Sequence, residues 1–110
     1  MDTYKKELFL YQTSNGRVPF EEWLESLKDR KARAVIRTRL NRAEQGNAGE
    51  FGPVGSGVYE LKVRFGPGYR VYFGEDGKTL IILLLGGDKS TQDKDIKRAI
   101  EYWEDYTIRK

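Results

Sequence analysis

The chain contains neither cysteine nor histidine in its 110 residues. Without cysteine there is no disulfide framework, thiolate nucleophile or thiolate zinc site, and without histidine there is no imidazole base and no imidazole metal ligand. Any catalysis must run on Lys, Arg, Asp, Glu, Tyr, Ser or Thr. Long hydrophobic runs are missing as well. The longest purely aliphatic stretch is Leu80–Leu85, far below the ~18 residues that a membrane span needs, and Met1-Asp2-Thr3-Tyr4-Lys5-Lys6 has no apolar signal-peptide region. A soluble cytoplasmic protein with no membrane partner is expected.

What is present fits one domain over residues 1–110, long enough to bury a core without metal or disulfide support. The formal charge of +3 is too weak to argue for a polyanion partner. Its distribution says more, because Lys28–Arg42 holds seven basic residues (Lys28, Arg30, Lys31, Arg33, Arg37, Arg39, Arg42) against Asp29 alone. One surface is therefore basic.

Tyr4–Tyr11 reads as a strand that stops at the turn cluster Thr13-Ser14-Asn15-Gly16. Pro19 suits a first helical position, and Phe20, Trp23, Leu24 and Leu27 recur at helical spacing. A second helix from Lys31 to about Gln45 aligns Ala32, Val35, Ile36, Leu40 and Ala43 on one stripe. Five glycines and Pro53 between Gly46 and Gly57 predict a flexible loop. Tyr59, Leu61, Val63 and Phe65 then alternate with Glu60, Lys62 and Arg64 in a strand closed by Gly66-Pro67-Gly68, which is a plain turn and not a phosphate loop. Tyr69–Phe73 follows, and Asp76-Gly77 turns the chain into Thr79–Gly86, an aliphatic strand covered on both faces. Ser90 or Thr91 caps a last helix with Ile96, Ala99, Ile100, Trp103 and Thr107 on one stripe. The expected fold is α+β: two N-terminal helices packed on a mostly antiparallel four-stranded sheet, with a C-terminal helix.

A three-residue loop at Gly66–Gly68 sets Arg64 opposite Arg70 and Lys62 opposite Tyr72. Like charges across a ladder cost some tenths of a kcal/mol, so a face carrying Lys62, Arg64 and Arg70 is either built for an anion or merely solvated. Lys89 follows Gly86-Gly87 and precedes the last helix, where a cation opposes the helix dipole and can complete a phosphate site; a solvated loop lysine is the plainer alternative. The arginine-rich second helix is either a nucleic-acid face or a solvated helix surface.

Val58-Tyr59-Glu60-Leu61-Lys62, the run Phe65–Phe73 (Phe-Gly-Pro-Gly-Tyr-Arg-Val-Tyr-Phe), Leu84–Gln92 and Lys94-Asp95-Ile96 together resemble the addiction-module killer proteins of the RelE/ParE toxin superfamily, near its HigB-like branch. The resemblance implies a RelE-like fold and a type II toxin. Such a toxin enters the ribosomal A site, cleaves mRNA there, needs no cofactor, and is silenced by a cognate antitoxin carrying a helix-turn-helix. It implies catalytic roles for Lys62, Arg64, Arg70 and Lys89; Arg33 and Arg37 of the basic helix, with Tyr72, are the candidate RNA contacts. The family tyrosine beyond the strand-end basic residue has no counterpart in Asp93-Lys94-Asp95, so Tyr72, Tyr102 and Tyr106 are the candidate replacements.

RNA can be cut when its own 2′-hydroxyl attacks the adjacent phosphorus in line, so the protein need only orient the nucleotide, move two protons and stabilise charge. Lys62, crowded by like charges, is the candidate base; Arg64 and Arg70 clamp the phosphate oxygens, Lys89 serves the leaving group, and Glu60 is an alternative base. The competing functions are a ParE-like inhibitor of DNA gyrase and a non-catalytic RNA- or ribosome-binding module.

Overall fold

The computed structural model describes residues 5–110, so the expected strand start at Tyr4 lies outside the described residues. Strand β1 (Glu7–Leu10) is followed by helices α1 (Pro19–Ser26) and α2 (Arg30–Glu44). Strands β2 (Phe51–Gly55), β3 (Val58–Val63), β4 (Tyr69–Asp76) and β5 (Leu80–Asp88) come next, then a 3₁₀ turn (Lys89–Thr91) and helix α3 (Gln92–Arg109). Pro19 opens α1, where its missing N–H is no loss. The Asp29 carboxylate caps α2 by accepting from the backbone N–H groups of Lys31 and Ala32 (2.9 and 3.3 Å), which satisfies two donors that a helix start leaves orphaned.

The architecture is α+β, but the sheet has five strands and is mixed, in the order β1-β5-β4-β3-β2. This corrects the expected two N-terminal helices on a four-stranded, mostly antiparallel sheet, since a fifth strand is present and β1 runs parallel to β5. The added strand is β2, which falls inside the glycine-rich segment expected to be a loop. Phe51 pairs with Leu61 across the ladder, and its ring lies 6.1 Å from Tyr59 and 6.0 Å from Phe73. That burial overrides the weak local propensity of its glycines. Pro53 is tolerated because β2 is an edge strand. Ser56 and Gly57, both at positive φ, turn the chain into β3.

The register of the β3–β4 hairpin is also corrected. The loop runs from Arg64 to Gly68, so Lys62 faces Arg70 and Glu60 faces Tyr72, and Arg64 leaves the ladder altogether. Positive φ at Gly66 and Gly68 and the Gly68 N–H donated to the Phe65 carbonyl (3.1 Å) close this longer turn.

Helices cover both faces of the sheet. On one, Phe20 and Leu24 of α1 and Ala32, Ile36 and Leu40 of α2 meet Leu61, Val63, Val71, Ile81 and Leu83. On the other, Ala99 and its neighbours on α3 meet Val58, Tyr72, Ile82 and Leu84. The aliphatic run of β5 thus feeds two cores, each fully buried side chain contributing about 1.5–3 kcal/mol. Gly86 and Gly87 mark its end. A Cβ on Gly86 would lie 2.1 Å from the Trp23 ring, and one on Gly87 would lie 1.8 Å from an Asp95 carboxylate oxygen. Bare backbone here lets α1 close down on one face and the start of α3 on the other.

Candidate active site

Strands β3, β4 and β5 end together beside the 64–68 loop, where a cleft of about 430 Å³ opens. Lys62, Arg64, Arg70 and Lys89 all line it. The four residues singled out in the sequence are therefore neighbours, although not in the expected arrangement. Lys62 and Arg70 are directly opposed. Arg64 lies at the exposed rim in a bidentate pair with Glu50, Nε to Oε1 at 2.7 Å and Nη2 to Oε2 at 2.8 Å, and this pairing holds the Glu50 carboxyl below its ordinary range. Lys89 is exposed at the mouth, with its backbone N–H donated to the Gly68 carbonyl (3.0 Å), which ties the end of β5 to the loop.

Arg70 occupies the floor of the cleft. Its side chain is only 13% exposed and its Nε lies 3.6 Å from Glu60 Oε2. Both Nε and Nη1 are buried without a hydrogen-bond acceptor. Buried guanidinium donors are ordinarily satisfied, because each orphaned polar group costs about 1–3 kcal/mol. Behind Arg70, Gln92 donates its amide to the same Glu60 oxygen (2.7 Å), and Thr91 donates its hydroxyl to the buried Asp95. The Tyr72 hydroxyl, with no hydrogen-bond partner, is pushed well above the usual phenol range, first by burial and then by the charges of Glu60 and Asp95, against which Arg70 acts.

The start of α3 is not the open phosphate cradle that the dipole argument anticipates. Asp88 accepts from Ser90 N–H (2.8 Å) and forms a reciprocal box with Thr91, while Asp93 and Asp95 fill the first turn of α3. The protein's own carboxylates already satisfy that end. The anion-facing donors are those of the strands.

The remaining candidates do not converge on the cleft. Arg33 donates a guanidinium N–H to the Leu27 carbonyl at the end of α1. Arg37 borders a different depression with Phe20, Leu24 and Leu40. Tyr72 is fully buried, which corrects its expected role as an RNA contact. Tyr106 donates to Asp76 (2.8 Å) and Tyr102 packs on Tyr11. Asp76 lies six residues along β4 from Arg70, roughly 20 Å away, so Tyr106 does not substitute for the family residue at this cleft, and Tyr102 does not line it.

Two acidic residues complete the picture. Glu50 belongs to the segment read as a loop, and nothing in the sequence ties it to Arg64. Glu60 shares a strand face with Lys62 by simple alternation, but its burial behind Gln92 depends on how α3 docks. Among the described residues no group of carboxylates is placed to hold a metal ion, and no helix is long and apolar enough to cross a membrane.

A small α+β protein with four cations gathered at the end of an antiparallel hairpin is the class that this geometry defines. Residues 22–104 match the family described as phage-derived protein Gp49-like (DUF891), and the chain belongs to that family, which lies within the RelE/HigB-like toxin superfamily. An uncharacterized protein of Haemophilus influenzae is 50% identical over 80 residues, covering 73% of this chain and 81% of its own length.

Proposed function

We propose that this protein is the toxin of a type II toxin–antitoxin pair, HigB-like in character, and that it inhibits translation by cutting mRNA at the ribosome without a metal. The observation that carries this reading is Arg70, with two buried N–H donors left without an acceptor directly opposite Lys62. Kinship with RelE-type toxins, which are endoribonucleases, supports the same chemistry.

In this reading the scissile phosphate sits over Arg70. The 2′-hydroxyl oxygen attacks phosphorus in line, the bond to the 5′-oxygen breaks, and the products are a 2′,3′-cyclic phosphate and a 5′-hydroxyl. Lys62 takes the 2′-hydroxyl proton, Arg70 stabilises charge on the non-bridging oxygens, and Lys89 supplies the proton that the leaving oxygen needs. Arg64 joins the phosphate by exchanging it for Glu50; exposed ion pairs are worth so little that this exchange is easy. A cognate antitoxin with its own helix-turn-helix silences the protein.

The test is primer extension on a message translated in a purified system, with and without ribosomes, alongside a gyrase supercoiling assay. Discrete cleavage within the translated frame is expected. An intact message together with blocked supercoiling would replace this reading by gyrase inhibition, and an intact message bound tightly by the protein would replace it by a binding module. Co-expression checks the partner: cells should tolerate the chain only with the neighbouring gene.

A further inference from the structure

We infer that Glu60, itself held by Gln92, is a positioning residue that sets the Arg70 guanidinium for the scissile phosphate; this rests on the endoribonuclease reading. The protein offers its own comparison, because two Arg–Glu pairs flank the same cleft. The exposed one, Arg64 with Glu50, is closed by two hydrogen bonds of 2.7 and 2.8 Å. The buried one, Arg70 with Glu60, stands open at 3.6 Å, beyond hydrogen-bond range.

Burial is where a closed fork is worth most. A pair selected for stability alone would close there, and an open one leaves Arg70 Nε and Nη1 without acceptors. The Gln92 amide donates to the very oxygen that faces Arg70 and so anchors the carboxylate at this separation. The carboxylate thus balances the charge of Arg70 beside Lys62 and fixes where the guanidinium rests. It leaves the donors unspent. Glu60 is 5% exposed and does not border the cleft. It therefore reaches a substrate only through Arg70, which removes it as the alternative base.

The test uses Glu60→Gln in the full chain, with Gln92→Ala as the second variant. One readout is the Arg70 Nε–H resonance, assigned by its loss in Arg70→Lys. The other is single-turnover cleavage set against affinity for a 2′-O-methyl RNA that cannot be cut. For Glu60→Gln the resonance should move or broaden. Cleavage should fall roughly tenfold to a hundredfold, the range that a small misplacement costs, while affinity for the 2′-O-methyl RNA holds or rises because an acidic charge has gone. A folded Glu60→Gln protein whose Arg70 resonance is unmoved, or whose cleavage and affinity fall in step, overturns the inference. If Glu60→Gln does not fold, Gln92→Ala decides: a severalfold loss of cleavage at constant affinity supports the role, and unchanged cleavage overturns it. If the wild-type protein cuts no RNA either with or without ribosomes, the endoribonuclease reading fails by itself, and the resonance alone reports whether Glu60 positions Arg70.

Discussion

Lys62 stands directly across the β3–β4 ladder from Arg70, so that two cations share the site where a sheet built for stability would pair opposite charges. Glu60, diagonal to Arg70 on the same face, offsets part of that repulsion from behind. Positive potential is thereby held at the floor of a cleft, where low-dielectric walls strengthen it.

Replacing Arg70 should separate charge from geometry. Arg70→Lys keeps the charge over Glu60 but loses the planar fork. We expect it to melt close to wild type and to cut message about a hundredfold to a thousandfold more slowly, as when one oxyanion donor is lost. Arg70→Ala strands a buried carboxylate and should destabilise by roughly 3–5 kcal/mol. Thermal melts with primer extension check both; wild-type cleavage by Arg70→Lys would remove Arg70 from the site.

Binding should be governed by phosphate contacts. With Lys62, Arg64, Arg70 and Lys89 gathered around the scissile phosphate and its neighbours, log affinity for single-stranded RNA should fall with log salt at a slope between about −1 and −3, the upper limit applying if each neutralises a separate phosphate. Arg64→Ala should flatten it by up to about 0.7. Glu50→Gln, which releases Arg64 from its partner, should tighten binding severalfold at low salt without moving the melting temperature. A flat salt titration contradicts the whole scheme.

The legible parts of this fold are those whose signal is local. The 3.6-residue stripes of α1, α2 and α3, the alternation of Tyr59–Val63 and the Asp76-Gly77 turn are all written in short windows. Strand β2 is not, because Gly52, Pro53 and Gly55 argue against a strand, and the burial of Phe51 against Tyr59 and Phe73 is a tertiary event. The parallel pairing of β1 with β5 joins segments seventy residues apart and leaves no trace in either. For the cleft, the strand-face cations were visible as residue types. Their register was not, since it depends on a turn that uses Gly66 and Gly68 at positive φ. The Glu50–Arg64 and Gln92–Glu60 contacts depend on docking and could not be read at all.

Tyrosine ionisation should limit stability in alkali. Burial, followed by its hydrogen bond to Asp105, raises Tyr11 to about 12, and burial raises Tyr72 as well, against about 10 in an unfolded chain. A group held neutral in the fold gives stability that is complete below the unfolded value and is lost as pH rises through the folded one. Unfolding should therefore set in between pH 10 and about 12, with these tyrosines lagging in a tyrosinate absorbance titration. At neutral pH Tyr72→Phe should hold or raise stability, by up to about 1–3 kcal/mol, because it removes a buried hydroxyl that has no hydrogen-bond partner. Tyr11→Phe, which loses the 2.6 Å bond to Asp105, should cost roughly 1–2 kcal/mol. Simultaneous titration of all tyrosines near pH 10 would refute the assignment.

The Gly86-Gly87 pair should separate folding from function. A methyl group at Gly86 meets the Trp23 ring at 2.1 Å, on the face where α1 packs and away from the cations. Gly86→Ala should therefore cost stability, by roughly 1–3 kcal/mol as overpacking does, while the folded fraction keeps wild-type cleavage. At Gly87 the methyl meets the Asp95 carboxylate at 1.8 Å and the Thr91 hydroxyl at 3.0 Å, so the first turn of α3 has to move. Gln92 begins that turn and holds Glu60, and Gly87 pairs with Arg70. Gly87→Ala should then reduce cleavage beyond what its lost stability explains, measured as single-turnover rate per folded molecule well below the melting point. Equal behaviour of the two variants would show that the start of α3 does not bear on the cleft.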